Sequence, residues 1–180
     1  MLLWYFWIYS FLGYLLEKLF ARLTRAVQQG RKCFLLLPLC PVYGLGMLAV
    51  LALPLRMRTG MWLAVWGGLA ATAVEYAVHL VYDRLLGVRF WDYSGTFGNL
   101  CGRVCLPFSV AWGVLTALAV RCLQPSVERL ARRVPWQVTV LYMIVFAVDL
   151  ACSGWVLHRT GDPEALRCDR RNARNTGKAL

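Results

Sequence analysis

The chain has 180 residues, of which 59% are hydrophobic and 16% charged, and its formal net charge is +11. Soluble domains carry roughly 25% charged residues, so a soluble core of this size could not absorb so much apolar surface, whereas a bilayer could. The basic residues lie between apolar runs and in the tail rather than among exposed aromatic residues, which argues against a nucleic-acid partner and fits contact with lipid headgroups. The seven cysteines are odd in number and lie mostly in or beside apolar runs, unlike a secreted disulfide framework.

Five apolar runs follow one another along the chain, and each is long enough to cross a membrane as a helix. The predicted spans are approximately residues 2–20, 33–55, 61–82, 104–123 and 136–157. We therefore predict an all-α integral membrane protein. It is a single domain over residues 1–157, built as a bundle of five transmembrane helices with an aromatic, glycine-rich interfacial loop. Residues 158–180 form a polar, basic tail that we expect to be disordered.

An acidic residue, Glu17, lies on a defined face of the first run. Phe6, Ser10 and Gly13 precede it at helical spacing and share that face. Two interpretations stay open. Glu17 is either an interfacial carboxylate near Lys18 or Arg22, or it turns inward along the face that Ser10 and Gly13 form.

The second run is uncharged but begins with residues that disrupt helices. Pro38, Pro41, Gly44 and Gly46 lie in its first half. Proline removes a backbone donor and clashes with the preceding turn, so we expect this end to be kinked or partly unwound. At membrane depth, backbone groups freed in this way are tolerated where they pack against protein or line a wet cavity.

The third run contains an acidic residue, Glu75, on a face of small residues. That face also holds Ala64, Gly68 and Ala71. Small residues let helices approach closely, so we expect Glu75 to face a neighbouring helix rather than lipid. A carboxylate there costs about 2.5–3.5 kcal/mol to insert, so it requires partners or a proton. His79 and Asp83 follow at four-residue steps and extend a ladder of polar groups from Glu75.

The segment after this helix, residues 89–103, is rich in aromatic residues and glycine. Its polar groups are Asp92, Asn99 and Arg103. One interpretation is a structural loop at the membrane interface, with Asp92 capping a turn and Arg103 snorkelling to the headgroups. The other places Asp92 and Arg103 in one wall of a site whose floor includes Glu75.

The last two runs are separated by a basic amphipathic connector, residues 126–133. We expect Pro125 to end the fourth run. In the fifth run Asp149 shares a face with Tyr142, Phe146 and Ser153. As a second acidic residue within an apolar run, Asp149 is a further candidate for ligand or ion binding.

The distribution of lysine and arginine suggests an orientation. With five spans, fourteen of these residues lie on the side of the first connector, the 83–103 loop and the tail, and six lie on the other. The positive-inside rule then places the N-terminus outside and the C-terminus in the cytoplasm, in the plasma membrane if the protein is bacterial.

Three stretches of the chain resemble one known family. They are YSFLGYLLE at 9–17, FLLLPLCPVYGLG at 34–46, and WDYS at 91–94 with the Asn and Gly-Arg that follow. Together they resemble the CmpB-type family, which is catalogued as type IV ABC-transporter permeases and includes a vertebrate transmembrane protein branch. The resemblance covers about residues 4–120. Leu37 and His79 depart from the family pattern. The positions assigned to its structural motif are Pro38, Pro41, Tyr43, Gly44, Gly46, Tyr76, Trp91, Tyr93, Ser94 and Gly102.

The resemblance implies transport, but the chain has no G-x-x-x-x-G-K-[ST] loop with which to bind ATP phosphates. We therefore interpret the protein as a transporter permease or channel-like subunit that lacks its own ATPase, with an unassigned substrate. The alternative is a non-transporting structural, sensor or accessory membrane protein. The expected partners are the lipid bilayer, a separate ATPase subunit and further copies of the chain. The candidate ligand- or ion-binding residues are Glu75, Arg103, Asp92, Asn99, Asp149 and Glu17.

An intramembrane enzyme that uses Glu75, His79 and Asp83 is a third interpretation. It lacks the H-E-x-x-H arrangement of zinc hydrolases, and no nucleophile lies in a recognisable context. We therefore predict no enzymatic activity, no cofactor and no metal.

Overall fold

The computed structural model describes residues 1–24 and 34–161, and within these ranges it is helical without strands. The all-α prediction is thus confirmed. Predictions that concern residues 25–33, in the first basic connector, and residues 162–180, in the tail, lie outside the described residues. The helices are α1 (Leu2–Leu23), α2 (Pro41–Ala52), α3 (Trp62–Val81), α4 (Leu106–Leu118), α5 (Gln124–Arg133) and α6 (Trp136–Thr160), with a 3₁₀ turn at Leu55–Met57 and π turns at Tyr82–Leu86 and Ala119–Leu123.

Three helical segments are long and apolar enough to cross a membrane: Trp62–Leu86, Leu106–Arg133 and Trp136–Thr160. α1 has 22 residues, whereas α2 has only 12 and extends about 18 Å, less than the hydrocarbon core. The five-span count and the orientation stay predictions.

Glycines bring the helices together in two close pairs. A Cβ on Gly13 of α1 would lie 2.3 Å from Cγ of Tyr43 on α2, and one on Gly44 would lie 2.5 Å from the carbonyl oxygen of Phe6. Between α3 and α4, a Cβ on Gly68 would lie 2.9 Å from Cα of Gly113. Each pair packs backbone against backbone or ring, which only residues without a side chain allow.

The second apolar run is unwound over residues 34–40, as its prolines predict, and α2 begins only at Pro41. Three of the freed N–H groups are satisfied by neighbouring helices. Leu36 N donates to Ser153 Oγ at 3.1 Å and Leu37 N to Asp149 Oδ1 at 3.3 Å, both on α6. Cys40 N donates to the carbonyl of Ser10 on α1 at 2.9 Å. The unwound segment is therefore packed in protein, between α1 and α6.

The expectation that Pro125 ends the fourth helix is wrong. The helix passes through the π turn at Ala119–Leu123 and continues as α5 to Arg133. Pro125 lies in the first turn of α5, immediately after the π turn. The wider turn changes the hydrogen-bond register just before the proline, so that its missing N–H and its ring do not break the helix.

The connector predicted from its basic amphipathic pattern is this same helix, α5. Its apolar face, formed by Val127 and Ala131, packs on Tyr5 and Tyr9 of α1. Tyr9 also donates a hydrogen bond to Gln124 Oε1 at 2.8 Å. The amphipathic face therefore binds α5 to the start of α1.

Candidate functional site

The crossing of α3 and α4 buries Glu75 completely, with 0% of its surface exposed. Gly68 and Gly113 set the close approach of the two helices, and Glu75 lies seven residues after Gly68 on the same face of α3. The structure thus confirms that the small-residue face carries Glu75 against protein.

Two neutral groups donate hydrogen bonds to the Glu75 carboxyl group. Trp112 Nε1 of α4 donates to Oε2 at 2.7 Å, and the hydroxyl of Tyr93 donates to Oε1 at 3.2 Å. Tyr93 belongs to the WDYS stretch, so the loop reaches the buried carboxyl group directly. Hydrogen bonds of this kind partly replace the hydration that a carboxylate loses on burial.

Glu17 is turned inward rather than beside Lys18 at the surface. It is 8% exposed, and its Oε1 accepts a hydrogen bond from the Tyr43 hydroxyl at 2.6 Å. The Tyr43 ring packs over Gly13, and its centroid lies 4.8 Å from that of Trp112. Glu17 and Glu75 therefore belong to one group of side chains, which we call the carboxylate cluster and which consists of Glu17, Tyr43, Trp112, Glu75 and Tyr93.

The loop that supplies Tyr93 is held in shape by its own polar groups. Asn99 Nδ2 donates to the carbonyl oxygens of Ser94 and Thr96 at 3.1 and 3.0 Å, and its Oδ1 accepts from Gly102 N at 3.2 Å. Tyr93 N donates to the Gly102 carbonyl at 2.8 Å. Asn99 therefore acts as an internal brace of the loop.

Asp92 caps a turn of the loop. Its Oδ1 accepts hydrogen bonds from the hydroxyl and the backbone N of Ser94, at 2.5 and 2.8 Å, and these bonds lower the pKa of Asp92 below its ordinary value. Gly102 has φ of +67°, and a Cβ there would lie 2.6 Å from Ser94 Oγ. The motif glycine thus makes room for the Asp92 turn.

Arg103 is anchored to α3 and not to Glu75. Its Nη2 bonds to Asp83 Oδ2 at 3.1 Å and its Nη1 donates to the Tyr76 hydroxyl at 3.2 Å, and these bonds raise the pKa of Arg103. Its carbonyl oxygen accepts from Trp91 Nε1 at 2.9 Å. The salt bridge, with the two side chains 16% and 20% exposed, therefore fixes the end of the loop on the helix.

Glu75 and His79 of α3 and Asp83 of the following π turn thus form the face on which the loop docks. Tyr93 bonds to Glu75 and Arg103 bonds to Asp83. Between these two contacts, His79 Nε2 lies 3.1 Å from the carbonyl oxygen of Trp91. In the described part of the chain, no group of three His, Cys, Asp or Glu residues is placed to hold a metal ion.

A comparison with known families decides the identity of the chain. Residues 4–154 match the model of the family described as "Putative ABC-transporter type IV". The chain belongs to this family. No curated protein and no solved structure matches it.

Membership of the type IV ABC-transporter family and the three long apolar helices make the chain an integral membrane protein. The match to the family extends beyond the stretches that carry the resemblance in the sequence and includes most of α6 with Asp149.

In this family member the predicted site residues separate into four places. Glu17 and Glu75 meet in the carboxylate cluster, whereas Asp92 and Asn99 bond within the loop. Arg103 joins the loop to α3, and Asp149 binds the unwound segment instead of approaching Glu75's donors. The predicted site had Asp92 and Arg103 beside Glu75. In the structure the loop residue that bonds to Glu75 is Tyr93, while Asp92 bonds to Ser94 and Arg103 to Asp83.

Sequence reasoning missed Trp112, one of two aromatic residues in the fourth run. The available signal was its position in the sequence, directly before Gly113, a small residue in an apolar run. An indole N–H beside a small-residue contact is well placed to donate to an acidic residue on the facing helix.

Proposed function

We propose that this protein is the membrane-embedded permease or channel-like subunit of a transport system and that a separate ATPase supplies its energy. The observation that carries the proposal is the complete burial of Glu75 within an apolar helix, among donors from α4 and the loop. Acidic residues inside membrane helices are costly and mark ion or substrate pathways. Membership of the type IV ABC-transporter family and the lack of a phosphate-binding loop in the sequence support the same proposal.

In this proposal the carboxylate cluster is the polar centre of the pathway. Glu17 of α1 and Glu75 of α3 line it from two helices, and the rings of Tyr43 and Trp112 lie between them. Two carboxyl groups beside aromatic faces favour a cationic solute or a proton over an anion. The Tyr93 contact links this centre to the loop, so movement of the loop would change the donors around Glu75.

The test is flux through liposomes that contain the purified protein, with a trapped pH-sensitive dye and, in parallel, a potassium-sensitive dye. We expect Glu75→Gln to reduce the flux roughly tenfold or more, as loss of an interaction worth about 1.4 kcal/mol would. The matched control is Glu128→Gln, which removes an exposed carboxylate bonded to Arg132. A flux equal in the two variants would contradict the role of Glu75.

A second experiment combines Glu75→Gln with Arg103→Ala. Both residues hold the same loop on α3: Glu75 accepts from Tyr93, and Arg103, the last residue of the loop, binds Asp83. We expect the flux of the double variant to fall by a smaller factor than the product of the factors for the two single variants. The reason is that either change alone already disturbs the loop on α3. Multiplicative losses would show that the two residues act independently.

The alternative is a non-transporting structural or accessory membrane protein. The observation that favours it is the closed hydrogen bonding of the loop, in which Asp92 and Asn99 serve the loop itself. Wild-type protein that gives no more flux than protein-free liposomes, while it retains a partner through purification, would support this alternative.

The orientation belongs to the same proposal. We place the N-terminus outside and the C-terminus in the cytoplasm, because fourteen of the twenty lysine and arginine residues then lie on the cytoplasmic side. A fluorescent protein that folds only in the cytoplasm, fused to Leu180, should be bright. A dark fusion together with an active periplasmic reporter would reverse the orientation.

A further inference from the structure

The contact between the unwound segment and α6 contains two buried polar atoms that no described residue satisfies. They are Trp7 Nε1, on a side chain 3% exposed, and Asp149 Oδ2, on a side chain 8% exposed. Both residues line the place where α1, the unwound segment and α6 meet, which we call the α6 junction. It is formed by Trp7, Leu35, Leu37, Leu39, Phe146, Asp149 and Ser153.

The two unsatisfied atoms are chemically complementary, since the indole N–H is a donor and the carboxyl oxygen an acceptor. A buried polar atom without a partner is costly, and a buried water commonly satisfies two to four such atoms. A metal cation fits the α6 junction poorly. The N–H groups of Leu36 and Leu37 already point at Ser153 and Asp149, and their positive ends would repel a cation.

Among the described residues that form the α6 junction, none carries a positive charge that could neutralise Asp149, which points to a proton instead. Residues 2–16 of α1 and residues 34–40 are uncharged, and residues 136–157 contain Asp149 as their single charged residue. The other titratable group that packs at the junction is the Tyr142 phenol, whereas the Cys40 thiol packs with Val42 and Val78 on the other side of the segment. A phenol offers no positive charge, so the described residues of these elements contain no ion-pair partner for the carboxylate.

We propose that Asp149 is a proton-binding site, and that the proton exchanges at Oδ2 through a water held by Trp7 Nε1. In the step, hydronium gives up a proton, an O–H bond forms at Oδ2, and water is released. Oδ1 remains the acceptor for Leu37 N. The site is separate from the carboxylate cluster and does not depend on transport through Glu75.

Protonation has a consequence for the unwound segment. A carboxylate accepts a charge-assisted hydrogen bond, which is roughly twice as strong as a bond to a neutral carboxyl group. Binding of the proton therefore weakens the hold of α6 on Leu37. The proton site would in this way set how firmly residues 34–40 are attached to α6.

The test is infrared spectroscopy of the wild-type protein in liposomes, which follows the carbonyl stretch of protonated carboxyl groups across a pH series. We expect a titrating band that disappears in Asp149→Asn, a variant that keeps an acceptor for Leu37. Glu17 and Glu75 remain in that variant, so a band that persists unchanged would assign the proton elsewhere and overturn the proposal.

Two further variants separate proton binding from a structural role. Trp7→Phe removes the indole N–H that holds the water. We expect this change to shift the pH at which the infrared band is half-formed by about half a pH unit or more. Thr139→Val is the control, because it breaks the Trp4–Thr139 bond, which also joins α1 to α6, and leaves Asp149 untouched. If the band titrated at the same pH in these two variants, Trp7 would have no part in proton binding. A band that responds to sodium but not to pH would show a cation site instead.

Hydrogen exchange supplies a second readout that a fixed structural contact would not move. In wild type, the exchange of the Leu36 and Leu37 amides, corrected for the intrinsic effect of pH, should rise several-fold as the infrared band appears. In Asp149→Asn the corrected exchange should not depend on pH. Protection in wild type that is independent of pH would contradict the link between the proton and the unwound segment.

Discussion

The contact between α3 and α4 gives the sharpest prediction, because Gly68 meets backbone atoms and not flexible side chains. A Cβ at this position would lie 2.9 Å from Gly113 Cα, 3.1 Å from Gly113 N and 3.3 Å from the carbonyl oxygen of Ser109. Favourable contacts between carbon atoms need about 3.5–4.0 Å. The change Gly68→Ala therefore requires the two helices to separate by roughly 0.6–1.1 Å.

The size of the effect follows from two opposed terms. Overpacking of a closely packed contact costs about 1–3 kcal/mol. Replacing glycine by alanine inside a helix gains about 1 kcal/mol in helix propensity. Gly154 on α6 offers a matched control, because nothing lies within 4 Å of a Cβ placed there. Both substitutions carry the propensity gain, so the difference between them isolates the packing cost.

The assay is thermal unfolding of both variants in the same detergent, followed by tryptophan fluorescence. For a chain of 150–250 residues, 1 kcal/mol shifts the midpoint by about 2–4 °C, so Gly68→Ala should unfold roughly 2–12 °C below Gly154→Ala. Equal midpoints would refute the close approach of α3 and α4. They would also remove the reason given for the burial of Glu75.

Three further predictions concern the loop. Tyr93→Phe removes a donor from the buried Glu75, and it should lower the free energy of unfolding by about 1–3 kcal/mol, an effect that disappears when Glu75 is already Leu, which has no acceptor. Because Ser94 lowers the pKa of Asp92, the stabilisation from Asp92 is present above its ordinary pKa and is lost as the pH falls through the lower, folded value, below about pH 4. Ser94→Ala should raise the pH at which the Asp92 carboxyl group titrates by NMR, and an unchanged titration would contradict this. Gly102→Ala should loosen the loop and speed its hydrogen exchange, since the new Cβ would meet Ser94 Oγ and Asp92 Oδ1 at φ of +67°; unchanged exchange would show that the turn tolerates a side chain.

The loop shows why a sequence pattern can identify the right residues and misassign their partners. Asp92, Asn99 and Arg103 were all recognised as polar groups in an aromatic stretch. Which of them reaches Glu75 depends on how the glycine turns fold the loop back, and the answer is Tyr93. The spacing of Glu75, His79 and Asp83 predicted a shared helix face, but their contacts with Tyr93, Trp91 and Arg103 are long-range and leave no periodic pattern.

The sequence by itself determined the all-helical class, the membrane setting, the unwound start of the second run and the packing face of Glu75. These properties depend on hydropathy, proline and small residues spaced along one helix, all of which act locally. The tertiary structure alone decided the inward position of Glu17, the Arg103–Asp83 salt bridge, the Trp112 hydrogen bond and the contact of Asp149 with the unwound segment. The structure also shows that the fourth helix continues past Pro125, because a π turn precedes the proline. Such features depend on which helices lie side by side, and hydrogen bonds between them form only after the chain has packed.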